Sequence, residues 1–262
     1  MQQSRLNELE KHAMKIGIIG TGNIGGALAR KLSAAGHDVR VANSSGTEGV
    51  RAFAHGIGAE PTDVHGAVAG ADVVILAILL PAMRALPTNL FAGVPIETTI
   101  IDTSNYYPGL RDSHILEIDN GLAESVWVAR QIGRPVIKAF NNALAYTLAE
   151  LGKPRGASQR LAIAVAGDDV GAKQTAMGLV DQMGFDPVDA GSLQDSWRQQ
   201  PSTPAYCCDY EAETMREALA AAIPGVSATK RDQLPEHFAK LGPNPSHADV
   251  VAMNRRLNSA VG

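Results

Sequence analysis

Three glycines with the spacing Gly-x-Gly-x-x-Gly lie where a short apolar run meets a helical pattern. The first glycine ends the apolar run, residues 15–20, and the other two lie in a segment with apolar residues at four-residue spacing, residues 22–35. In this context the first glycine permits a tight turn and the second lets a pyrophosphate approach the backbone. The third lets the helix pack close to the strand. Amides at the start of that helix then bind phosphate. The sequence therefore predicts a dinucleotide site that contains Gly20, Thr21, Gly22, Asn23, Ile24 and Gly25.

The residues that follow the second predicted strand indicate which dinucleotide is bound. NAD sites usually place Asp or Glu about 20 residues after the first glycine, where it holds the ribose hydroxyls. Residues 42–46 contain no carboxylate and supply Asn43, Ser44 and Ser45 instead. A carboxylate would repel a 2′-phosphate, so its absence favours NADP over NAD, with Arg51 as a further contact one helical turn away. The two serines are also common helix caps, which leaves a purely structural role open.

Ligands of an open parallel sheet bind beyond the carboxyl ends of its strands, and this rule adds three further loops to the predicted site. The loop after the fourth strand is expected to pack on ribose and nicotinamide, and the loop after the sixth to offer an amide to the carboxamide. Ordinary turn chemistry also explains each of these loops taken singly. The added residues are Ala77, Ile78, Leu79, Thr103, Ser104, Asn105, Ala139, Phe140 and Asn141.

Strand and helix signals alternate along residues 15–142, and this alternation predicts a mostly parallel, doubly wound α/β sheet of the Rossmann type. The strongest strand signal is the apolar run of residues 72–79, which suits a strand buried on both faces. Helices are predicted over residues 22–35, 47–56, 81–91 and 122–131. We therefore expect an NADP-binding domain over residues 14–142.

Residues 143–262 carry a different pattern, with fewer strands and more helices. Strands are predicted over residues 160–166 and 185–188, and residues 192–206 are rich in polar residues and proline, which predicts a loop. Helices are expected over residues 143–151, 169–183, 211–222, 231–241 and 246–260. We therefore expect a smaller α/β C-terminal part with a helical tail, which serves substrate binding or dimerisation.

Composition excludes several classes of protein. A net charge of −4 gives no basic surface for nucleic acid and no polybasic membrane anchor. Residues 1–14 are polar and mixed in charge, without the apolar core of a signal peptide, so we interpret them as a short leading tail. The only cysteines, Cys207 and Cys208, are adjacent and have no metal-binding spacing, which predicts a reduced, cytoplasmic protein without a metal site.

Beyond the glycine loop, two further motifs carry a family resemblance: Ile101-Asp102-Thr103-Ser104-Asn105 and Lys138-Ala139-Phe140-Asn141. Together with residues 165–169 and 197–206, they make the chain resemble the NADPH:coenzyme F420 oxidoreductase family. The cytosolic domains of the six-transmembrane ferric reductases are similar too. The resemblance implies an NADP-binding domain, a small C-terminal domain and a homodimer. It also implies a flat redox substrate, coenzyme F420, FMN or FAD, with the 2′-phosphate on residues 43–45 and the nicotinamide near Phe140 and Asn141.

The sequence offers no convincing Ser-His-Asp or Cys-His set, and His55, His65 and His114 are isolated. We therefore predict no catalytic side chain, because the cofactor carries the chemistry of hydride exchange with a flavin-like ring. Asp168 or Asp169 is better explained as a helix N-cap than as a metal ligand or acid.

Several readings remain open at this point. Trp197, Arg198 and Tyr206 either line a substrate pocket or pack between domains or subunits. One alternative function is the reduction of a small carbonyl or imine, but such reductases usually continue with an all-helical domain. Another alternative is a non-catalytic sensor that binds NADP.

Overall fold

Six parallel strands form the main sheet of the computed structural model, which describes residues 13–259. Most of the predicted leading tail, and the last residues of the predicted helical tail, lie outside the described residues. In the order β3-β2-β1-β4-β5-β6, the strands form the predicted doubly wound sheet. The strands are β1 (Lys15–Ile19), β2 (Asp38–Ala42), β3 (Glu60–Pro61), β4 (Val73–Leu76), β5 (Thr99–Asp102) and β6 (Ile137–Lys138).

Helices connect these strands and cover the sheet. Strand β4 ends three residues before the end of the predicted strand, 72–79, and is buried along its whole length, as its unbroken apolar run predicts. Helix α1 buries Leu28 and Leu32, which lie one turn apart on the face towards the sheet. The helices of this half are α1 (Asn23–Ala34), α2 (Gly46–Gly56), α3 (Val64–Val68), α4 (Leu116–Asp119) and α5 (Glu124–Ile132).

The second part of the chain contains the two predicted strands, β7 (Ala162–Val165) and β8 (Asp186–Asp189), which pair in parallel. Ala166 forms an antiparallel bridge with Lys138 of β6, so this small sheet adjoins the edge of the main one. Ile163 and Phe185 belong to the same buried apolar cluster as Ile18 and Leu28. One continuous core therefore runs beneath both sheets.

Six α-helices accompany the second part in the described residues, together with a 3₁₀ helix, Gln194–Gln199, inside the segment predicted as a loop. The N-cap of α7 is Asp169, whose carboxylate accepts a hydrogen bond from the Ala172 amide at 2.7 Å. The last helix holds residues 206–209 in place, because Asn254 and Arg255 donate to the carbonyls of Cys207 and Cys208. The helices are α6 (Ala145–Glu150), α7 (Val170–Gln182), α8 (Ala212–Ala220), α9 (Val226–Asp232), α10 (Leu234–Leu241) and α11 (His247–Asn258).

Two predicted helices were wrong in extent, and proline explains both. The helix expected over residues 81–91 is only a short 3₁₀ helix, Leu80–Ala85, because Leu86 precedes Pro87 and takes the extended conformation that proline imposes on its predecessor. The helix expected over residues 231–241 is split at Gln233 between α9 and α10. Pro235 lies in the first turn of α10, where its missing amide hydrogen is tolerated.

Within residues 13–259, no helix is both long enough and apolar enough to cross a membrane. The same residues contain no group of three or more His, Cys, Asp or Glu side chains that could hold a metal ion.

The contact between β1 and α3 allows a test of the packing. A Cβ atom on Gly17 would overlap the backbone carbonyl of Ala67, which cannot rotate away. We expect Gly17→Ala to lower the free energy of unfolding by about 1–3 kcal/mol, the usual cost of overpacking a core, as measured by urea denaturation. Gly56→Ala is the control, because an added Cβ there meets no other atom within 4 Å. Equal stability of the two variants would contradict this packing.

Candidate cofactor groove

An open groove of about 670 Å³ lies at the carboxyl ends of β1, β2, β4 and β5. It brings together loops that are separated by about 90 residues in the sequence, and most of the predicted site residues are in its wall. Its lining comprises Gly20, Thr21, Gly22, Asn23, Ile24, Asn43, Ser44, Ala77, Ile78, Leu79, Ala82, Thr103, Ser104, Asn105 and Arg111.

The three glycines differ in what surrounds them. A Cβ on Gly20 would overlap the Ala77 carbonyl, and the positive φ of Gly20, 104°, also favours glycine. A Cβ on Gly25 would overlap the Gly20 carbonyl oxygen, so α1 packs directly against the loop. Gly22, by contrast, faces open space and is the N-cap of α1. Two glycines are therefore needed for the fold itself, and the third leaves free volume where the helix amides point into the groove.

Asn43 connects the glycine loop to the end of β2. Its side-chain amide donates to the Thr21 hydroxyl at 2.8 Å, and its side-chain oxygen accepts from the Ser45 amide at 2.9 Å. Ser45 precedes α2 and does not line the groove. The guanidinium of Arg51 is paired with Glu48 on the same helix and also lies outside the groove wall. The polar end of β2 thus reaches the groove through Asn43 and Ser44.

The predicted residues after β6 lie behind the groove wall rather than in it. Ala139, Phe140 and Asn141 are all buried, and Phe140 belongs to the main core. The Asn141 side chain donates to the Asn105 side-chain oxygen at 3.0 Å, and the Asn105 amide donates back to the Asn141 carbonyl at 2.9 Å. Asn141 therefore does not line the groove itself but holds Asn105, which does.

Sequence reasoning missed Ala82 of the groove wall and two polar side chains that form or support the groove. Arg111 lines the groove because the chain folds back after Asn105, where its guanidinium donates to the Asn105 carbonyl at 2.6 Å. Gln199 supports Asn141 from behind, with its amide donating to the Asn141 side-chain oxygen at 2.8 Å. Neither Arg111 nor Gln199 belongs to a sequence motif. The conformation of the loop after Asn105 places Arg111, and the 3₁₀ helix Gln194–Gln199 places Gln199.

A fully buried charged cluster lies directly beneath the loop after β5. Lys138 donates to Asp102 at 3.1 Å and to the Ser104 carbonyl. The Asp102 carboxylate accepts from the Ser104 amide at 2.9 Å and from the Ser125 hydroxyl at 2.6 Å. The backbone of Ser104 is thus held on both its amide and its carbonyl side by buried charges. Such groups are costly to leave unpaired, so this cluster fixes the shape of the groove wall.

Glu124 is the second carboxylate of this cluster, 3.8 Å from the Lys138 ammonium and completely buried. Burial raises the pKa of Glu124 to about 7, although the positive charge of Lys138 opposes the shift. This carboxyl group therefore titrates near neutral pH, close to the groove but not in its wall.

The remaining candidate residues lie outside the groove. His55, His65 and His114 are not in its wall. The Trp197 ring packs against the Arg198 guanidinium, and Arg198 donates to the Leu219 carbonyl. The Tyr206 side chain is buried and hydrogen-bonds to the hydroxyl of Tyr107.

Comparisons with known proteins agree with this architecture. The model of the family described as "NADP oxidoreductase coenzyme F420-dependent" matches residues 15–106. Protein YjhV of Escherichia coli (strain K12) is 50% identical over 105 residues, which cover 40% of this chain and 77% of that protein. Metalloreductase STEAP3 of Rattus norvegicus is 30% identical over 190 residues, 72% of this chain but only 36% of that protein, so the chain spans about a third of its length.

A solved structure shares the fold over most of the chain. It is described as a "putative f420 dependent nadp-reductase" from Arthrobacter sp. FB24, with a TM-score of 0.58 and 19% sequence identity. The match covers 88% of this chain and 94% of that one.

The titration of Glu124 predicts a pH-dependent stability. Between about pH 4.5 and 7 the folded protein holds a proton that the unfolded chain has released, so the stability due to this proton is lost as pH rises through that range. The free energy of unfolding of Glu124→Gln, taken relative to that of the wild type at the same pH, should therefore be on the order of 2 kcal/mol higher at pH 8 than at pH 5. Urea denaturation at both pH values measures this, with the exposed Glu117→Gln as control. A pH-independent difference would contradict the assignment.

Proposed function

Because this chain belongs to the coenzyme F420-dependent NADP oxidoreductase family, we propose that it transfers a hydride between NADPH and a flat, flavin-like ring. The enzyme is an NAD(P)-dependent oxidoreductase, and the acceptor that we propose is coenzyme F420, FMN or FAD. In the forward direction NADPH gives up a hydride and becomes NADP⁺, while the acceptor ring gains the hydride. Any proton that the reduced ring then needs comes from solvent after the transfer.

The observation that carries this proposal is the chemical character of the groove wall. Among the described residues that line it, Arg111 is the only ionisable side chain, and no His, Cys, Asp or Glu takes part. Hydride transfer between two rings needs them to be positioned and kept from water, and it needs no acid or base from the protein. Reduction of a carbonyl or imine, in contrast, ends with a proton on oxygen or nitrogen, for which this wall offers no acid.

The residues present fit a dinucleotide. The open volume at Gly22, next to the first amides of α1, suits the pyrophosphate. Asn43 and Ser44 are proposed to hold the adenosine end with its 2′-phosphate, since no carboxylate stands there to repel it. Ser45, just outside the groove wall, is proposed as a further contact. The exposed Leu79 and the loop Thr103–Asn105 are proposed to border the nicotinamide, which supplies the hydride when NADPH is bound.

Several features of the proposal rest on the sequence pattern or the family resemblance. The sequence pattern supports the division into a cofactor domain, residues 14–142, and a substrate or dimerisation domain, residues 143–262, as well as the cytoplasmic location. Motif spacing supports the roles of Gly25, Arg51, Ala139, Phe140 and Asn141 at the cofactor, and the resemblance supports the homodimer. Strands β7 and β8 support the proposal against an all-helical second domain of the kind that usually follows in carbonyl and imine reductases.

Turnover with a panel of acceptors tests the function. We expect the protein to oxidise NADPH in preference to NADH with F420, FMN or FAD, followed as loss of absorbance at the nicotinamide band. A ferric chelate is the comparison acceptor. A preference for NADH would contradict the role of the β2 loop, and tight NADPH binding without turnover by any acceptor would favour a sensor.

Gly22→Val tests the position of the pyrophosphate. An added Cβ meets no protein atom within 4 Å, so the cofactor-free variant should stay folded and lose only about 1 kcal/mol, the usual cost of a poor residue at a helix N-cap. Its dissociation constant for NADPH, measured by fluorescence titration, should rise at least about 100-fold, because the branched side chain occupies the volume proposed for the phosphates. Gly56→Ala is the matched control on both measurements. Unchanged NADPH affinity in Gly22→Val would overturn this placement.

A further inference from the structure

Arg111 is the one cation in the wall of the groove among the residues that the structure describes. It follows β5, whereas the glycine loop follows β1 and the residues proposed for the 2′-phosphate follow β2. In the strand order β3-β2-β1-β4-β5-β6, β2 and β5 lie on opposite sides of β1. Arg111 is therefore on the side of the groove away from the adenosine end, where the two rings would meet.

The guanidinium of Arg111 is held in place before any ligand binds. Its Nε and Nη2 atoms donate to the two carboxylate oxygens of Asp112, each at 2.9 Å, and Nη2 also donates to the Asn105 carbonyl. The guanidinium carbon lies 5.0 Å from the centre of the Tyr107 ring. Asp112 is itself buried. A charge fixed on three sides loses little conformational entropy when it binds a ligand.

One amino group of this side chain is still available. Within residues 13–259 no protein group accepts a hydrogen bond from Nη1, and 37% of the Arg111 side chain is exposed. The donors of a guanidinium group match the oxygens of a carboxylate or a phosphate in spacing and direction, so these anions are its preferred ligands. On the basis of this geometry we propose that Arg111 binds an anionic group, phosphate or carboxylate, on the side chain of the hydride acceptor. This inference rests on the function proposed above.

A cation at this position should make the protein select among acceptors by their charge. FMN and coenzyme F420 carry phosphate on the chain attached to the ring, and F420 carries carboxylates as well, whereas riboflavin carries neither. The partial neutralisation by Asp112 limits the effect, so we expect a preference of about ten-fold for the anionic form. The affinity for the dinucleotide itself should not depend on Arg111.

Binding of matched acceptor pairs tests this inference. The protein saturated with NADP⁺ is titrated with FMN and riboflavin, and with F420 and the same deazaflavin without its phosphate-bearing chain. We expect the wild type to bind at least one anionic acceptor about ten-fold more tightly than its neutral partner. Arg111→Gln should abolish this preference, and Arg111→Lys should keep part of it. The exposed Arg130→Gln, on α5, is the control and should keep all of it.

Three outcomes would overturn the role of Arg111. The first is the absence of any preference in the wild type. The second is an equal loss of affinity for charged and for neutral acceptors in Arg111→Gln, which would mean that the side chain only shapes the loop. The third is a rise in the dissociation constant for NADP⁺ with acceptor binding unchanged, which would assign Arg111 to the cofactor. Selective binding without oxidation of NADPH would overturn the proposed function and leave the role of Arg111 intact.

Discussion

The close approach of the first helix to the glycine loop is the contact on which the groove depends. The backbone of Gly25 lies so near the Gly20 carbonyl and Ala77 that no other residue type fits at that position. This contact sets α1 against the ends of β1 and β4, with its amino end directed at the groove. The unpaired amides and the positive end of the helix dipole lie there as a consequence, without any charged side chain in the loop.

A second constraint acts on the opposite wall. The buried cluster of Lys138, Asp102 and Ser125 holds the Ser104 backbone, and the paired amides of Asn105 and Asn141 hold the next residue. The groove is therefore bordered on one side by packed backbone and on the other by a buried polar network. Breaking such a network usually costs more than the network contributes, because one partner is left charged and desolvated. The Lys138 segment thus matters to the site even though its side chain does not reach the groove.

The glycine loop and the strand pattern were predicted correctly because both depend on local physics. A helix that starts at Gly-x-Gly-x-x-Gly and a strand of unbroken apolar residues are properties of short segments. The loops after β1, β2, β4 and β5 were placed in one groove by the rule that parallel strands end on one edge. Arg111 escaped prediction because only a reversal of the chain after Asn105 brings it to the groove. Phe140 was expected at the nicotinamide, but its side chain points into the core.

The sequence by itself determined the Rossmann-type fold, the position of the glycine loop between β1 and α1 and the lack of a carboxylate after β2, since each follows from residue type and spacing along one segment. Only the tertiary structure decided which loop residues face the groove and which support it from behind. It alone also showed that Asp102, Glu124 and Lys138 meet in one buried cluster. Burial and hydrogen-bond partners depend on residues far apart in the chain, and no spacing within a single segment encodes them.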